Sequence, residues 1–179
     1  MKACLDACVL FPTVMREMLL ETAEEGVFEP IWSERILEEW ARATRRLPEG
    51  SEAVARAEII AMKARWPEAM VPADDIAATP SPVLPDPNDE HVLSAALAGG
   101  ADTLITSNRA DFPNRILAPC GVLPRDPDGF LVEIHQTQRE LSGAAARVIE
   151  RAEAKSGRPQ SLRSLLKRAG LPRLGKALG

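Results

Sequence analysis

Cysteine, histidine and long apolar runs are scarce in this 179-residue chain, and each scarcity excludes a class of protein. The three cysteines form no Cys-x-x-Cys motif, so we expect a reduced, cytoplasmic protein without a disulfide framework. The apolar runs are only a few residues long, as at 95–98, whereas a membrane span requires roughly 20 residues. An acid, Asp6, stands where a signal peptide requires its apolar stretch, so we expect neither secretion nor a membrane partner.

The formal net charge of −4 hides an unequal distribution of charge along the chain. Residues 1–138 contain 12 basic and 23 acidic residues, a net charge of −11. Residues 139–179 contain 10 basic and 3 acidic residues, a net charge of +7. One interpretation is an acidic domain followed by a solvated basic tail. The other is that acids gather at a metal site while the tail meets a polyanion.

Short apolar segments alternate with longer amphipathic ones, which is typical of an α/β domain with a central parallel sheet flanked by helices. The predicted strands cover residues 3–5, 27–32, 68–71 and 103–105. The predicted helices cover residues 13–25, 33–47, 51–66 and 88–97. Five prolines between Pro72 and Pro87 predict a loop.

A different kind of sequence begins at Asp126, where helical patterns follow one another without strands. Leu162, Leu165 and Leu166 lie on one side of the last basic helix, so we expect the tail to pack against a partner surface. We therefore divide the chain into an α/β domain, residues 1–125, and a helical, basic C-terminal extension, residues 126–179.

Several acids lie where a parallel sheet places its functional sites, beyond the carboxyl ends of the strands. Asp6 directly follows the first strand, and Asp111 lies in the loop that leaves the 103–105 strand. Asp86 and Asp89 stand near the start of the helix that leads into that strand. We interpret Asp89 as a possible helix N-cap, which leaves Asp86 without a structural role. These acids can converge at one edge of the sheet.

Two adjacent glutamates, Glu38 and Glu39, follow Ser33 in a predicted helix. On a helical wheel Glu39 borders the apolar stripe that contains Trp40, whereas Glu38 faces solvent. Glu39 is therefore the better inward carboxylate. The alternative is that both glutamates are surface charges paired with neighbouring arginines.

Carboxylates gathered in one pocket repel one another, so some become protonated or a cation neutralises them. Oxygen ligands favour Mg²⁺ or Mn²⁺ over Zn²⁺, and the two histidines, His91 and His135, show no metal-ligand spacing. A haloacid-dehalogenase-type phosphatase requires an aspartate at the position of Cys8. A response-regulator receiver requires a lysine that is missing between Lys63 and Lys155. There is also no glycine-rich phosphate loop after a strand and no Gly-x-Ser-x-Gly motif.

The acids and their neighbours form four segments in a fixed order, at residues 5–10, 36–40, 86–93 and 100–112. In this order they resemble the PIN-domain ribonucleases, and among them the VapC-type toxins of bacterial toxin–antitoxin pairs. The resemblance covers roughly residues 1–125 and implies a PIN-like nuclease domain there. The tail, with its Ala169-Gly170-Leu171-Pro172 sequence, resembles the C-terminal extension of one branch of these toxins.

The resemblance implies an acidic site that hydrolyses RNA phosphodiester bonds with one or two Mg²⁺ or Mn²⁺ ions and no side-chain nucleophile. The implied catalytic residues are Asp6, Glu39, Asp89 and Asp111. The implied metal ligands are Asp6, Asp86, Asp89 and Asp111. Thr106 and Asn108 match polar positions that line the same pocket and are implied to bind substrate.

The resemblance also implies partners: RNA, with transfer RNA as the family's usual target, a VapB-type antitoxin and a second copy in a homodimer. Arg147 and Arg151 recur near helical spacing in the tail, and we expect them to contact RNA. The alternative for these arginines is a solvated helix face. The alternative for the whole chain is a catalytically silent PIN scaffold that binds RNA or a protein partner.

Overall fold

Four strands and eleven helices follow one another along the chain in a computed structural model that describes residues 1–179. The elements are β1 (Lys2–Leu5), α1 (Ala7–Leu10), α2 (Thr13–Glu24), β2 (Glu29–Ile31), α3 (Glu34–Ala43), α4 (Ser51–Arg65), α5 (Ala73–Ala77), α6 (Glu90–Ala98), β3 (Thr103–Ile105), α7 (Asn114–Leu117), β4 (Leu123–Arg125), α8 (Pro127–Thr137), α9 (Ser142–Ser156), α10 (Leu162–Arg168) and α11 (Pro172–Ala177). Most of the predicted helices therefore form close to their predicted bounds.

The four strands form one sheet in the order β2-β1-β3-β4, and every neighbouring pair is parallel. Cys4 of β1 pairs with Ile31 on one side and with Leu104 on the other. These three side chains are buried, as expected for a parallel sheet that is flanked by helices. The predicted α/β fold with a central parallel sheet is thus confirmed. The carboxyl ends of β1 and β3 lie side by side.

Contacts divide the chain into two compact units that are not contiguous in sequence. The sheet unit contains residues 1–11 and 29–125, and the helical unit contains residues 12–28 and 126–179. The proposed functional division after residue 125 stays a prediction. By its contacts, however, α2 belongs to the same unit as the C-terminal helices. The sequence did not indicate this grouping.

Within the helical unit, α2 packs against α9, and α11 packs against α8 and α10. Leu165 and Leu166 of α10 are buried there, so the expectation that the tail packs is confirmed. Asp128 of α8 fixes the start of α11, because its carboxylate accepts the backbone N–H groups of Arg173 and Leu174, both at 2.9 Å. A carboxylate satisfies the orphan donors at a helix N-terminus and interacts favourably with the helix dipole.

Two local predictions were wrong. Residues 68–71 form no strand, because the chain turns in a 3₁₀ helix at Pro67–Ala69 and Met70 makes only a single bridge to Trp32. The proline-rich stretch 72–87 contains the short helix α5, which begins directly after Pro72. Two aspartates in the first turn of α5 favour that start, since negative charge is stabilising at a helix N-terminus.

Candidate acidic active site

Asp6 lies at the carboxyl end of β1, and only 8% of its surface is exposed. Its backbone N–H donates to the carbonyl of Ile105 at 3.2 Å, which ties the ends of β1 and β3 together. Its Oδ2 accepts a hydrogen bond from Oγ1 of Thr106 at 2.7 Å. Thr106 is fully buried, and its Oγ1 also accepts the backbone N–H of Asn108 at 3.0 Å. The hydroxyl of Thr106 therefore holds both the carboxylate of Asp6 and the backbone of the loop after β3 in place.

Cys8 is a second donor to Asp6. Its thiol lies 3.0 Å from Oδ2 of Asp6, and its sulfur accepts the backbone N–H of Ser107 at 3.3 Å. Burial, together with the charge of Asp6, raises the pKa of Cys8 to about 12. The thiol thus stays protonated at neutral pH and can donate to the carboxylate.

Asp111 joins the site through the loop that follows β3. Nδ2 of Asn108 donates a short hydrogen bond to Oδ2 of Asp111. Because the backbone N–H of Asn108 is held by Thr106, a chain of hydrogen bonds links Asp6 to Asp111.

Asp86 and Asp89 exchange the roles that the sequence suggested. Asp86 is the capping residue: its Oδ1 accepts the backbone N–H of Asn88 at 2.9 Å and the amide Nδ2 of Asn88 at 3.0 Å. Asp89 makes no side-chain capping bond. Asp89 does occupy the N-cap position of α6, but its side chain does not cap, because a 3₁₀ turn, Pro87–Asp89, precedes α6 and brings orphan N–H groups within reach of Asp86. The carboxylate of Asp89 therefore remains available.

The charges of all the other predicted acids contribute to the pKa of Asp89. Burial raises the pKa of Asp89 to about 6, and the charges of Asp6, Asp86, Asp111 and Glu39 add to the effect, in that order. Asp6, Asp86, Asp111 and Glu39 thus each lie close enough to Asp89 to disfavour its charged form. A bound cation would relieve that repulsion.

The adjacent glutamates of α3 have different neighbours. Glu38 pairs with Arg42 at 2.7 Å and with Arg56 at 2.8 Å, and hydrogen bonds from these arginines lower its pKa to about 2. The charge of Glu39 instead contributes to the raised pKa of Asp89. The wheel prediction that Glu39 is the inward member agrees with this placement, while its catalytic role stays a prediction.

Glu39 lies against His91 of α6. Oε1 of Glu39 is 2.8 Å from Nε2 of His91 and 3.4 Å from Nε of Arg35. Burial alone would raise the pKa of Glu39, but His91 and Arg35 outweigh burial and lower it. Glu39 is therefore held in its charged form beside Asp89.

Arg147 and Arg151 belong to the helical unit and are paired there. Arg147 contacts Glu21 at 2.6 Å and Glu25 at 2.9 Å, and Arg151 contacts Glu17 at 2.9 Å and Glu21 at 2.8 Å. Burial would raise the pKa of Glu21, but the two arginines outweigh it and lower that pKa. Contact of these arginines with RNA stays a prediction, and it would compete with these ion pairs.

The family follows from a comparison of the whole sequence with known families. The sequence profile of the PIN domain matches residues 2–110, more than half of the chain. The chain belongs to the PIN domain family. This membership implies a nuclease-type fold, and PIN domains are generally nucleases that use a divalent metal ion. Searches among curated proteins and among solved structures found no match.

Membership confirms the predicted PIN-like fold, while the assignment to VapC-type toxins stays a prediction. None of the helices in this PIN domain is both long and apolar enough to cross a membrane.

The donors of this PIN domain suit a hard divalent cation. Carboxylate and amide oxygens dominate the site, and such ligands fit Mg²⁺ or Mn²⁺. The raised pKa of Asp89 agrees with this, because the negative charges of four nearby carboxylates add to the larger effect of burial. With the side chains as they stand, no group of three His, Cys, Asp or Glu residues is arranged to hold a metal ion. Binding of a metal ion would therefore require the half-buried side chains of Asp86, Asp89 and Asp111 to rotate.

Two residues of this site, Cys8 and His91, were not predicted from the sequence. Cys8 was given no role in the site, although its place two residues after Asp6 in a helical turn aims its side chain back at that acid. His91 was set aside for lack of metal-ligand spacing. Its place on α6, two residues after Asp89, was the available signal, but its pairing with Glu39 depends on how α3 and α6 pack.

Proposed function

We propose that this PIN domain is a metal-dependent endoribonuclease that hydrolyses RNA phosphodiester bonds at its acidic cluster and acts as the toxin of a toxin–antitoxin pair. The observation that supports the nuclease proposal is the chain of hydrogen bonds through Thr106 and Asn108 that links Asp6 to Asp111 at the ends of neighbouring strands. The charges of these two acids, with those of Asp86 and Glu39, also disfavour the charged form of Asp89. Neighbouring carboxylates without a compensating cation are unfavourable in a purely structural role, but they are useful as ligands.

In this proposal Asp6, Asp86, Asp89 and Asp111 would hold one or two Mg²⁺ or Mn²⁺ ions. The metal would supply an activated water and stabilise the charge that develops on the phosphate. The chain's own residues hold the ligands in place. The Thr106 hydroxyl and the Cys8 thiol donate to Asp6, so its second oxygen, Oδ1, remains available.

The polar residues divide into positioning and contact groups. Thr106 is fully buried, and its hydroxyl is used within the protein, so we infer that it orients Asp6 rather than touching RNA. Asn108 is exposed and holds Asp111, so it can meet substrate at the rim. Glu39 adds a charged carboxylate beside Asp89 and suits the acceptance of a proton from the attacking water.

The first test is cleavage of structured RNA with Mg²⁺ or Mn²⁺, repeated with a chelator. Asp6→Asn and Asp89→Asn should each remove most of the activity. Asp75→Asn, on the exposed first turn of α5, is the matched control and should cleave like the unaltered protein. Undiminished cleavage by both site variants would contradict the assignment. RNA binding without Mn²⁺ binding in titration calorimetry would support the silent scaffold instead.

The toxin role, the VapB-type antitoxin, the homodimer and transfer RNA as substrate are supported by the resemblance of the four segments. They call for an experiment in cells. Induction should arrest growth, and a map of RNA ends after induction should show new cuts that are missing with Asp89→Asn. Growth arrest that persists with the variant would contradict a nuclease toxin.

A further inference from the structure

A cavity of about 690 Å³ opens next to the acidic cluster, within the sheet unit. Its walls come from α3, from α5 with the chain before it, and from α6. The volume falls in the range of about 300–1,000 Å³ that is usual for small-ligand pockets. Apart from Glu39, the residues that line this cavity have no role in the nuclease proposal above.

His91 lines the cavity and has unsatisfied polar atoms. Only 8% of its side chain is exposed, yet neither ring nitrogen has a hydrogen-bond partner of good geometry. Nε2 lies 2.8 Å from Oε1 of Glu39, but this approach does not meet hydrogen-bond geometry, and Nδ1 has no partner at all. Buried polar atoms without partners are costly and rare. These nitrogens are closed off from the cavity in this structure, so rotation of the imidazole ring would let an occupant with a polar edge pair with them.

The remaining lining indicates the shape and charge of the occupant. Val71 and Ile76 provide an apolar wall, and two arginines and three glutamates also line the cavity. The excess of acidic side chains disfavours a free anion such as phosphate. A flat, neutral group with apolar faces and a hydrogen-bonding edge fits better, and an unpaired nucleobase has these properties. Proteins bind single-stranded RNA by stacking splayed bases on His or Arg side chains and hydrogen-bonding their edges.

Glu39 connects the cavity to the acidic cluster. It lines the cavity, and its Oε1 lies 2.8 Å from Nε2 of His91, two residues after Asp89 on α6. Arg35, which also lines the cavity, donates to the backbone carbonyl of Asn88, the residue before Asp89, at 3.4 Å. A base held in the cavity would therefore place its own backbone near the carboxylates. We propose that the cavity holds one unpaired base of the RNA strand whose phosphate enters the acidic cluster; this proposal rests on the proposed nuclease function.

The test measures RNA binding in a background that does not cut. Asp6→Asn protein is mixed with a labelled short single-stranded RNA that the unaltered protein cleaves, and with versions that each lack one base. Fluorescence anisotropy should show one position where loss of the base weakens binding about tenfold, a typical effect of removing a stacked base. In Asp6→Asn with Ile76→Trp, where a larger side chain takes up part of the cavity, the difference between intact and abasic RNA should shrink.

Two further variants keep the test decisive. Ile60→Trp, at a site 70% exposed on α4, is the matched control and should keep the tenfold difference. His91→Leu removes the polar edge without adding bulk and should shrink the difference, which covers the case that Ile76→Trp does not fold.

Each outcome decides a different point. If the abasic penalty is the same with and without the cavity substitutions, the base site is refuted, while cleavage by the unaltered protein still supports the nuclease. If the unaltered protein neither binds nor cleaves RNA, the proposed function fails and this inference fails with it. Loss of a protein partner on Ile76→Trp with an unchanged abasic penalty would identify a protein occupant and refute the base.

Discussion

Replacing Asp89 by asparagine is expected to stabilise the metal-free protein at neutral pH, although it should remove activity. Asp89 has a pKa of about 6 in the fold, against an ordinary value of 3.8. Its charged form is therefore disfavoured by burial and by four neighbouring carboxylates. Asparagine keeps the shape of the side chain and removes the charge.

The size of the effect follows from the pKa difference. A shift of about two units corresponds to at most about 3 kcal/mol. Asp89 is only partly buried, so solvent screening reduces this figure to about 1 kcal/mol. For a chain of this length, such a gain would raise the melting temperature by about 2–4 °C.

The pH dependence has a definite sign. Because the pKa of Asp89 is higher in the folded than in the unfolded state, the folded state binds more protons between about pH 4 and pH 6. The unaltered protein therefore loses stability as the pH rises through this window, and the full penalty is present above it. The advantage of Asp89→Asn should be complete at about pH 7.5 and absent near pH 4.

Thermal unfolding in the presence of a chelator measures both effects. Asp75→Asn should show no such pH-dependent gain, because Asp75 is exposed in the first turn of α5. Addition of Mn²⁺ should stabilise the unaltered protein more than Asp89→Asn, since a ligand that binds only the folded state raises stability. The reasoning would be refuted if Asp89→Asn were less stable than the unaltered protein at neutral pH. It would also be refuted if the stability gain of Asp89→Asn were as large at pH 4 as at pH 7.5.

Three further changes test other parts of the structure. Glu39→Gln should slow RNA cleavage far more than Glu38→Gln, because the charge of Glu39 affects Asp89 whereas Glu38 is paired with arginines. Equal effects in a cleavage assay would contradict the orientation of α3. Thr106→Val should weaken Mn²⁺ affinity or cleavage about 10- to 100-fold by removing the donor to the first acid, and calorimetry that shows no change would exclude this positioning role. Arg147→Ala should cost about 1 kcal/mol in urea unfolding. That loss should be complete above about pH 4.5, the ordinary pKa of glutamate, and should shrink as the pH falls through the lowered pKa of Glu21 in the fold. An undiminished loss in acid would contradict the ion pair.

Much of the fold was predictable because its signals are local. The short apolar run before Asp6 and the one at 103–105 became neighbouring strands, and helix starts such as Ser33 were recognisable from the capping residue. The edge strand β4 was not predicted, because its three residues include a proline and show no alternation. The short helix α5 was hidden by the surrounding prolines.

The candidate site was predictable in composition and less so in detail. Asp6, Asp89 and Asp111 could be placed together because parallel strand ends meet at one edge of a sheet. The exchange of roles between Asp86 and Asp89 was not predictable, since it depends on a 3₁₀ turn that shifts the cap by three residues. The donors to Asp6 depend on register between β1 and β3, which no local pattern specifies.

The separation of charge along the sequence largely disappears in the fold. Residues 12–28 carry one basic and four acidic residues, and residues 126–179 carry ten basic and six acidic residues, so the helical unit has a net charge of only +1 and the sheet unit −5. The glutamates of α2 neutralise Arg147 and Arg151, and RNA would have to displace them to use those charges. Exchanging one ion pair for another contributes little net attraction. Two divalent ions, by contrast, would add a charge of up to about +4 at the carboxylates themselves. In the proposed nuclease, attraction of phosphate therefore depends on the metal site more than on the basic C-terminal extension.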